Sequence, residues 1–257
     1  MSLKTQNKLE NLIKILKKLR SSDGCDWDKE QTHESLIPYL LEETYEVIEA
    51  IQTKDYKLLK EELGDLLLHI IFQAELASEK EKFNIYDSIQ NINEKLIKRH
   101  PYVFNNKNDE SYTKGNWESA KQKEKNRESL LDGVPKALPA LTKARRIQEK
   151  AASVNFDWVN IQQVYSKIDE EISELKEAIN NKQQDKIEDE LGDVLFTVVN
   201  LSRHIQINPE VALDKSIKKF INRFSRLEKY MKKHQLEFKD QNINKLDELW
   251  DIIKSSE

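Results

Sequence analysis

The same acidic pattern is written twice in this chain at one fixed offset. Leu41-Glu42-Glu43-Thr44-Tyr45-Glu46, with Glu61-Glu62-Leu63-Gly64-Asp65 after it, returns as Asp169-Glu170-Glu171-Ile172-Ser173-Glu174, with Asp189-Glu190-Leu191-Gly192-Asp193 after it. Glu43 and Glu171, Glu46 and Glu174, Glu62 and Glu190, and Asp65 and Asp193 all stand 128 residues apart. Unrelated runs of charge do not keep register in this way. The chain is a tandem duplication of one acidic unit, so any fold must be one that half of its 257 residues can form.

Only five Gly and five Pro interrupt the chain, and 34% of its residues are charged. Long breaker-free stretches of good helix formers predict an all-α protein of tandem helical-bundle repeats, and no segment alternates convincingly enough for a strand. Helices are expected over about 4–19, from near Pro38, over about 56–80, over 87–99 up to His100-Pro101, through Lys125, and at about 247–254, with a polar segment at 105–116. Leu131-Asp132-Gly133-Val134-Pro135 through Pro139 reads as a linker. The expected organisation is a first repeat at 1–128, a linker at 129–140 and a second repeat at 141–257.

A net charge of −4 argues against binding a nucleic-acid polymer, which requires a basic face. Cys25, the single cysteine, excludes an internal disulfide framework and a cysteine-rich metal site. The opening residues mix Lys and Asn into their apolar positions, without a signal-peptide core or a membrane span, so a cytoplasmic protein without a membrane partner is expected.

Helical spacing places Glu43 with Glu46 on one face and Glu62 with Asp65 on another. The helix carrying the second pair is apolar on nearly every side, through Leu58, Leu63, Leu66, Leu67, Leu68, Ile70, Ile71 and Phe72, which predicts that it is buried. Carboxylates in such a surface are costly unless a cation or hydrogen bonds compensate them. A Glu-x-x-Glu pair facing a Glu-x-x-Asp pair suits Mg2+, a hard ion that takes carboxylate oxygens and shares its shell with phosphates, with Mn2+ as the alternative. Gly64 and Gly192 lie inside the acidic helices, where glycine costs roughly 1 kcal/mol against alanine and points to close packing or ligand approach. A di-iron bundle would call for Glu-x-x-His ligands instead. A silent helical interaction protein is the other rival, and the intact second acidic set argues against it. His69, His100 and His204 read as packing or surface residues.

The paired acidic motifs resemble the two-repeat MazG family of nucleoside triphosphate pyrophosphohydrolases, as do Cys25-Asp26-Trp27-Asp28-Lys29-Glu30-Gln31-Thr32, Arg99-His100-Pro101-Tyr102-Val103-Phe104 and Val154-Asn155-Phe156-Asp157-Trp158. The likeness runs from about Leu9 to Trp250. It implies an all-α bundle, a homodimer, and Mg2+-dependent cleavage of (d)NTP to the monophosphate and pyrophosphate, in nucleotide-pool or stress chemistry. A modified nucleotide or an alarmone is the alternative substrate. In such a reaction carboxylate-held Mg2+ polarises phosphoryl oxygens, and Lys and Arg neutralise the departing pyrophosphate.

The two repeats then separate. Lys95 and Arg99 correspond to Lys219 and Arg223 at an offset of 124, and Trp117 answers to Trp250. Lys167, Lys186 and Asn200, however, are matched by Tyr39, Leu58 and Phe72. The second repeat is therefore expected to be catalytic. The resemblance assigns metal binding to Glu171, Glu174, Glu190 and Asp193, and nucleotide binding to Lys167, Lys186, Asp189, Asp193, Lys219, Arg223 and Trp250, with Trp250 stacking on the base. Glu170 is the candidate for positioning the attacking water. Glu43, Glu46, Glu62 and Asp65 form a possible second metal site in a repeat that has lost two phosphate-binding lysines.

Overall fold

The computed structural model describes residues 3–104 and 128–255, all helix, turn or loop with no strand among them. Trp117, the polar segment at 105–116 and the helix expected through Lys125 lie outside the described residues. The chain divides into two compact units, Met1–Glu110 and Ser111–Glu257. No described helix is long and apolar enough to cross a membrane.

The first unit is built from α1 (Leu3–Leu19), α2 (Asp26–Glu30), α3 (Ile37–Thr53), α4 (Tyr56–Glu79), α5 (Ile85–Arg99) and α6 (Pro101–Phe104). Pro38 occupies the first turn of α3, where its missing N–H costs nothing. Lys54 ends α3 in the left-handed conformation, and the next residue, Asp55, caps α4 through Lys57 N at 2.9 Å and Leu58 N at 3.0 Å. This tight connection folds α3 and α4 into a hairpin, the main packing of the unit. Asn84 and Asp87 make a reciprocal capping box at the start of α5. Ile13 and Leu16 of α1 meet Leu36, Ile71, Phe72, Ala74, Leu76 and Ile85 in one apolar core.

The second unit repeats the plan with α7 (Ala140–Ala152), α8 (Ile161–Asn180), α9 (Gln184–His204), α10 (Pro209–Lys233) and α11 (Ile243–Ser255), with a 3-10 turn at Phe238–Asp240. Lys182 takes the left-handed conformation at the α8–α9 turn, 128 residues after Lys54. Asn208 caps α10 as Asn84 caps α5, 124 residues earlier. Burial follows the duplication too, because Leu36 and Val164 are both fully enclosed, as are Ile71 and Val199. A second core joins Leu227 and Met231 of α10 to Leu249 and Ile253 of α11.

Two expectations about the acidic helices change. In α4, Ile71 and Phe72 are buried, but Leu63 is 49% exposed and Ile70 50%, so one flank of this apolar helix faces outward. Apolar residues on every side show that a helix has no polar face; they do not show that its own unit covers them all. Gly64 and Gly192 are likewise unexplained by packing among the described residues, since an added Cβ at either would meet nothing within 4 Å beyond its own stretch of helix.

Candidate metal and nucleotide site

In the second unit the α8–α9 hairpin brings the repeated acids face to face. One carboxylate oxygen from each of Glu171, Glu174 and Glu190 lies within 4.8 Å of the others. Glu171 is buried while Glu174 is exposed. Desolvation and the negative charges of Glu190 and Glu171 hold the Glu174 carboxyl above its ordinary range. An all-oxygen, mutually repelling donor set fits a hard divalent cation, whose charge would relieve that repulsion. Lys167, one turn earlier on α8, reaches Glu170 at 2.8 Å and Glu171 at 2.6 Å. Its hydrogen bonds to Glu170 and then Glu171 hold its ammonium well above the usual lysine range, so it stays charged beside the acids.

Glu171, Asp193 and Lys167 border a cavity of about 780 Å3, a volume in the range of small-molecule sites. Its other walls are largely apolar: Leu130 and Leu131 of the connector, Ile147 and Ala151 of α7, Val154, Phe156 and Trp158 of the following loop, and Phe196 of α9. Gln148, Asp157, Thr197, Asn200 and Arg203 add polar groups. The loop is fastened to α9 through Asp157, which accepts from Arg203 Nη1 at 2.9 Å and from Nη2, with His204 Nε2 at 3.2 Å. Burial pushes the Asp157 carboxyl up, but the Arg203 bonds outweigh it and hold the group below its usual range. The buried Lys150 ammonium donates to the Leu130 carbonyl at 2.7 Å, fastening the connector to α7.

The remaining expected residues stand elsewhere. Lys186 and Asp189 are exposed near the start of α9. Lys219 belongs to a basic cleft on α10 with Lys218, Asn222 and Arg226, and Arg223 shares that helix. Trp250 packs against α10, with its ring 5.2 Å from Phe220. None of these residues lines the acid-bordered cavity. Gln148, Thr197, Arg203 and the loop residues around Asp157 were not singled out individually by sequence reasoning. The Val154-Asn155-Phe156-Asp157-Trp158 motif was a visible signal for the loop alone.

In the first unit Glu43, Glu62 and Asp65 also bring oxygens within 4.8 Å of one another. Desolvation and neighbouring carboxylates raise both Glu43 and Glu62; Asp65, Glu46 and Glu62 act on Glu43, and Glu46, Asp65 and Glu61 on Glu62. Tyr39 stands where the second unit has Lys167. Its ring meets Trp27 edge-on at 5.8 Å and stacks on His69 at 6.4 Å. Burial pushes the His69 imidazole down, against the attraction of Asp65. Arg20, the counterpart of Gln148, lies 5.2 Å over the Phe72 ring and is tied to Glu79 at 2.6 and 2.7 Å.

The family model for the MazG nucleotide pyrophosphohydrolase domain matches twice, at residues 31–104 and 160–229, once over each acidic hairpin. The chain is 48% identical over 250 residues to the nucleoside triphosphate pyrophosphohydrolase/pyrophosphatase MazG of Thermotoga maritima, covering 96% of each chain. It is 40% identical over 261 residues to the nucleoside triphosphate pyrophosphohydrolase of Escherichia coli K12, covering 98% of each. It is also 42% identical to the uncharacterized protein YabN of Bacillus subtilis, across 95% of this chain and 51% of that one. With its duplicated acidic hairpins and its likeness to the first two relatives over nearly their whole length, the chain belongs to the MazG nucleotide pyrophosphohydrolase family.

Proposed function

We propose that the pyrophosphohydrolase activity of this chain resides in the second unit, which converts (d)NTP to the monophosphate and pyrophosphate with Mg2+. The observation that carries this reading is the meeting of three carboxylates, a lysine ion-paired to one of them and a largely apolar cavity on the α8–α9 hairpin. Glu171, Glu174, Glu190 and Asp193 would hold the ion, with Mn2+ as a substitute. Bound there, it supplies Lewis-acid polarisation of phosphoryl oxygens and a more acidic water. Lys167 stays protonated and offers its charge to the phosphates, while Glu170, its exposed partner, is placed to orient a water. The base occupies the cavity between Phe156, Trp158 and Phe196, where aromatic contact suits any nucleobase.

The enzyme acts in the cytoplasm as a homodimer, in which Lys186, Asp189, Lys219, Arg223 and Trp250 complete the nucleotide site. Supporting a second copy, Leu213, Ile217, Phe220 and Ile221 form an exposed apolar stripe along α10. The first unit, residues 1–128 in the proposed division, binds a cation at Glu43, Glu46, Glu62 and Asp65 without efficient turnover. The linker is 129–140 and the catalytic repeat 141–257. The test is product analysis of each NTP with and without Mg2+. Monophosphate and pyrophosphate formed only with the ion is the expected result; diphosphate with orthophosphate, or no product, overturns the reading.

A further inference from the structure

The cavity beside the acids follows α9 over several turns, since Asp193, Phe196, Thr197, Asn200 and Arg203 all line it. Asp193 stands at the acid end. Asn200 is seven residues further along, about 10 Å at the rise of an α-helix, which is of the order of the span from a metal-bound phosphate to the far edge of its base. Two contacts put Asn200 beside the proposed base subsite. Phe196 precedes it by one helical turn, and Arg203, which holds it, is clamped by Asp157, whose chain neighbours are Phe156 and Trp158.

The Asn200 amide can turn only one end to a ligand. Its Oδ1 accepts from Arg203 Nε at 3.1 Å and from Nη2 at 2.6 Å, so one guanidinium occupies both lone pairs. Its Nδ2 has no partner among the described residues and, unlike Gln148 Oε1, is not shut off from solvent. The other polar groups at this end do not select. Asp157 and Arg203 are bonded to each other, and Gln148 Nε2 donates to the Phe196 carbonyl at 2.8 Å. Thr197 offers a hydroxyl that both donates and accepts, and the exposed Asn155 amide is held by no bond and can turn either way. Asn200 is therefore a donor fixed in direction.

We propose that the Asn200 amide makes the enzyme favour nucleotides whose base carries an oxygen at its far edge, at C6 of a purine or C4 of a pyrimidine, over those with an amino group there. The proposal rests on the reading that the second unit hydrolyses nucleoside triphosphates with the base in this cavity. A carbonyl oxygen at that point accepts from Nδ2. An amino group turns its own hydrogens toward the donor, so a bond is lost and two desolvated donors face each other. Stacking on the aromatic walls still admits every base, and the amide ranks those that enter. Hypoxanthine, guanine, uracil and thymine fall on the favoured side, adenine and cytosine on the other. Hydrolytic deamination, which exchanges the exocyclic amino group for oxygen with release of ammonia, thereby turns a disfavoured nucleotide into a favoured one. The first unit has Phe72 and Glu75 where the second has Asn200 and Arg203, so it lacks both the donor and its holder.

The experiment uses ITP against ATP and UTP against CTP, pairs that differ only in the exocyclic group and the protonation of the ring nitrogen beside it. For the full chain in Mg2+ it measures kcat/KM for each nucleotide and Kd for the α,β-imido forms, which cannot be cleaved between those phosphates. The wild type is expected to favour ITP over ATP and UTP over CTP by about tenfold in both readouts, the scale of one hydrogen bond in a desolvated site. Asn200→Leu is expected to bring each ratio within about threefold. Asn200→Asp keeps the size and the Arg203 bonds but turns an acceptor oxygen to the base, and is expected to reverse both ratios, an outcome that loss of fold cannot produce. Ratios near one in the wild type overturn the proposal, as do ratios that survive Asn200→Leu or an oxygen preference kept by Asn200→Asp. If no pyrophosphate is released from any of the four nucleotides, it is the hydrolase reading that fails, and the Kd ratios still decide the proposal.

Discussion

The two units present the same acids to different neighbours. In the second, Lys167 sits against Glu171 and an open cavity lies beyond it. In the first, Tyr39 fills the lysine position within a Trp27–Tyr39–His69 stack, and Arg20 lies over Phe72. Aromatic packing stands where the second unit has a cation. The acids were kept while their surroundings diverged, so the two carboxylate clusters are alike in themselves and differ in what stands beside them.

The sharpest way to break this comparison is to remove equivalent acids from the two units. Glu174→Ala is expected to lower kcat/KM by about 10²- to 10³-fold, whereas Glu46→Ala stays within about threefold of wild type in the same pyrophosphate-release assay. Matching losses in folded variants would make the units equal partners. Lys186→Ala is expected to cost about tenfold, through KM for the triphosphate.

Stability measurements test the electrostatics of both clusters. Glu43, Glu62 and Glu174 have carboxyls raised above the ordinary value of 4.5. The folded state therefore binds their protons more tightly than the unfolded chain does. Their contribution favours folding below about pH 4.5 and is lost as pH rises through the folded values. A divalent ion should reverse that loss, so the gain in Tm on adding Mg2+ should grow with pH, and a flat difference would rule out ion binding at these acids. In the metal-free chain at neutral pH, Glu62→Gln should raise Tm by removing a repelling charge and should shrink the Mg2+ response.

The smallest expected effects concern the walls. Asp157→Ala removes the Arg203 clamp and should cost about 1 kcal/mol in chemical denaturation, together with weaker nucleotide binding. Tyr39→Ala should cost about 1–2 kcal/mol and leave turnover unchanged, since the stack it breaks lies in the unit proposed not to turn over efficiently.

The duplicated hairpins and their acids were legible because helical period and register act locally. Glu43 and Glu171 needed only the 128-residue offset to be matched, and the observed turns at Lys54 and Lys182 keep it. The cavity wall was less legible for a geometric reason. Gln148 comes from α7, outside the acidic motif, and the loop carrying Trp158 breaks register, lying 131 residues after Trp27. The contrast of Asn200 with Phe72 was visible in the chain, but the Arg203 bonds that orient the Asn200 amide were not. The exposed flank of α4 was hidden for a related reason, because composition reports how apolar a surface is and not what covers it.

The bond from Lys150 to the Leu130 carbonyl bears on how small an independent second unit can be. A fragment beginning at residue 141 would carry the duplicated hairpin yet lose both one acceptor of the Lys150 ammonium and the Leu130 and Leu131 side chains that wall the cavity. The shortest piece that keeps the whole pocket must therefore start ahead of Leu130, within the stretch that joins the repeats, so that by sequence the joining segment belongs to neither repeat but by structure it belongs to the second.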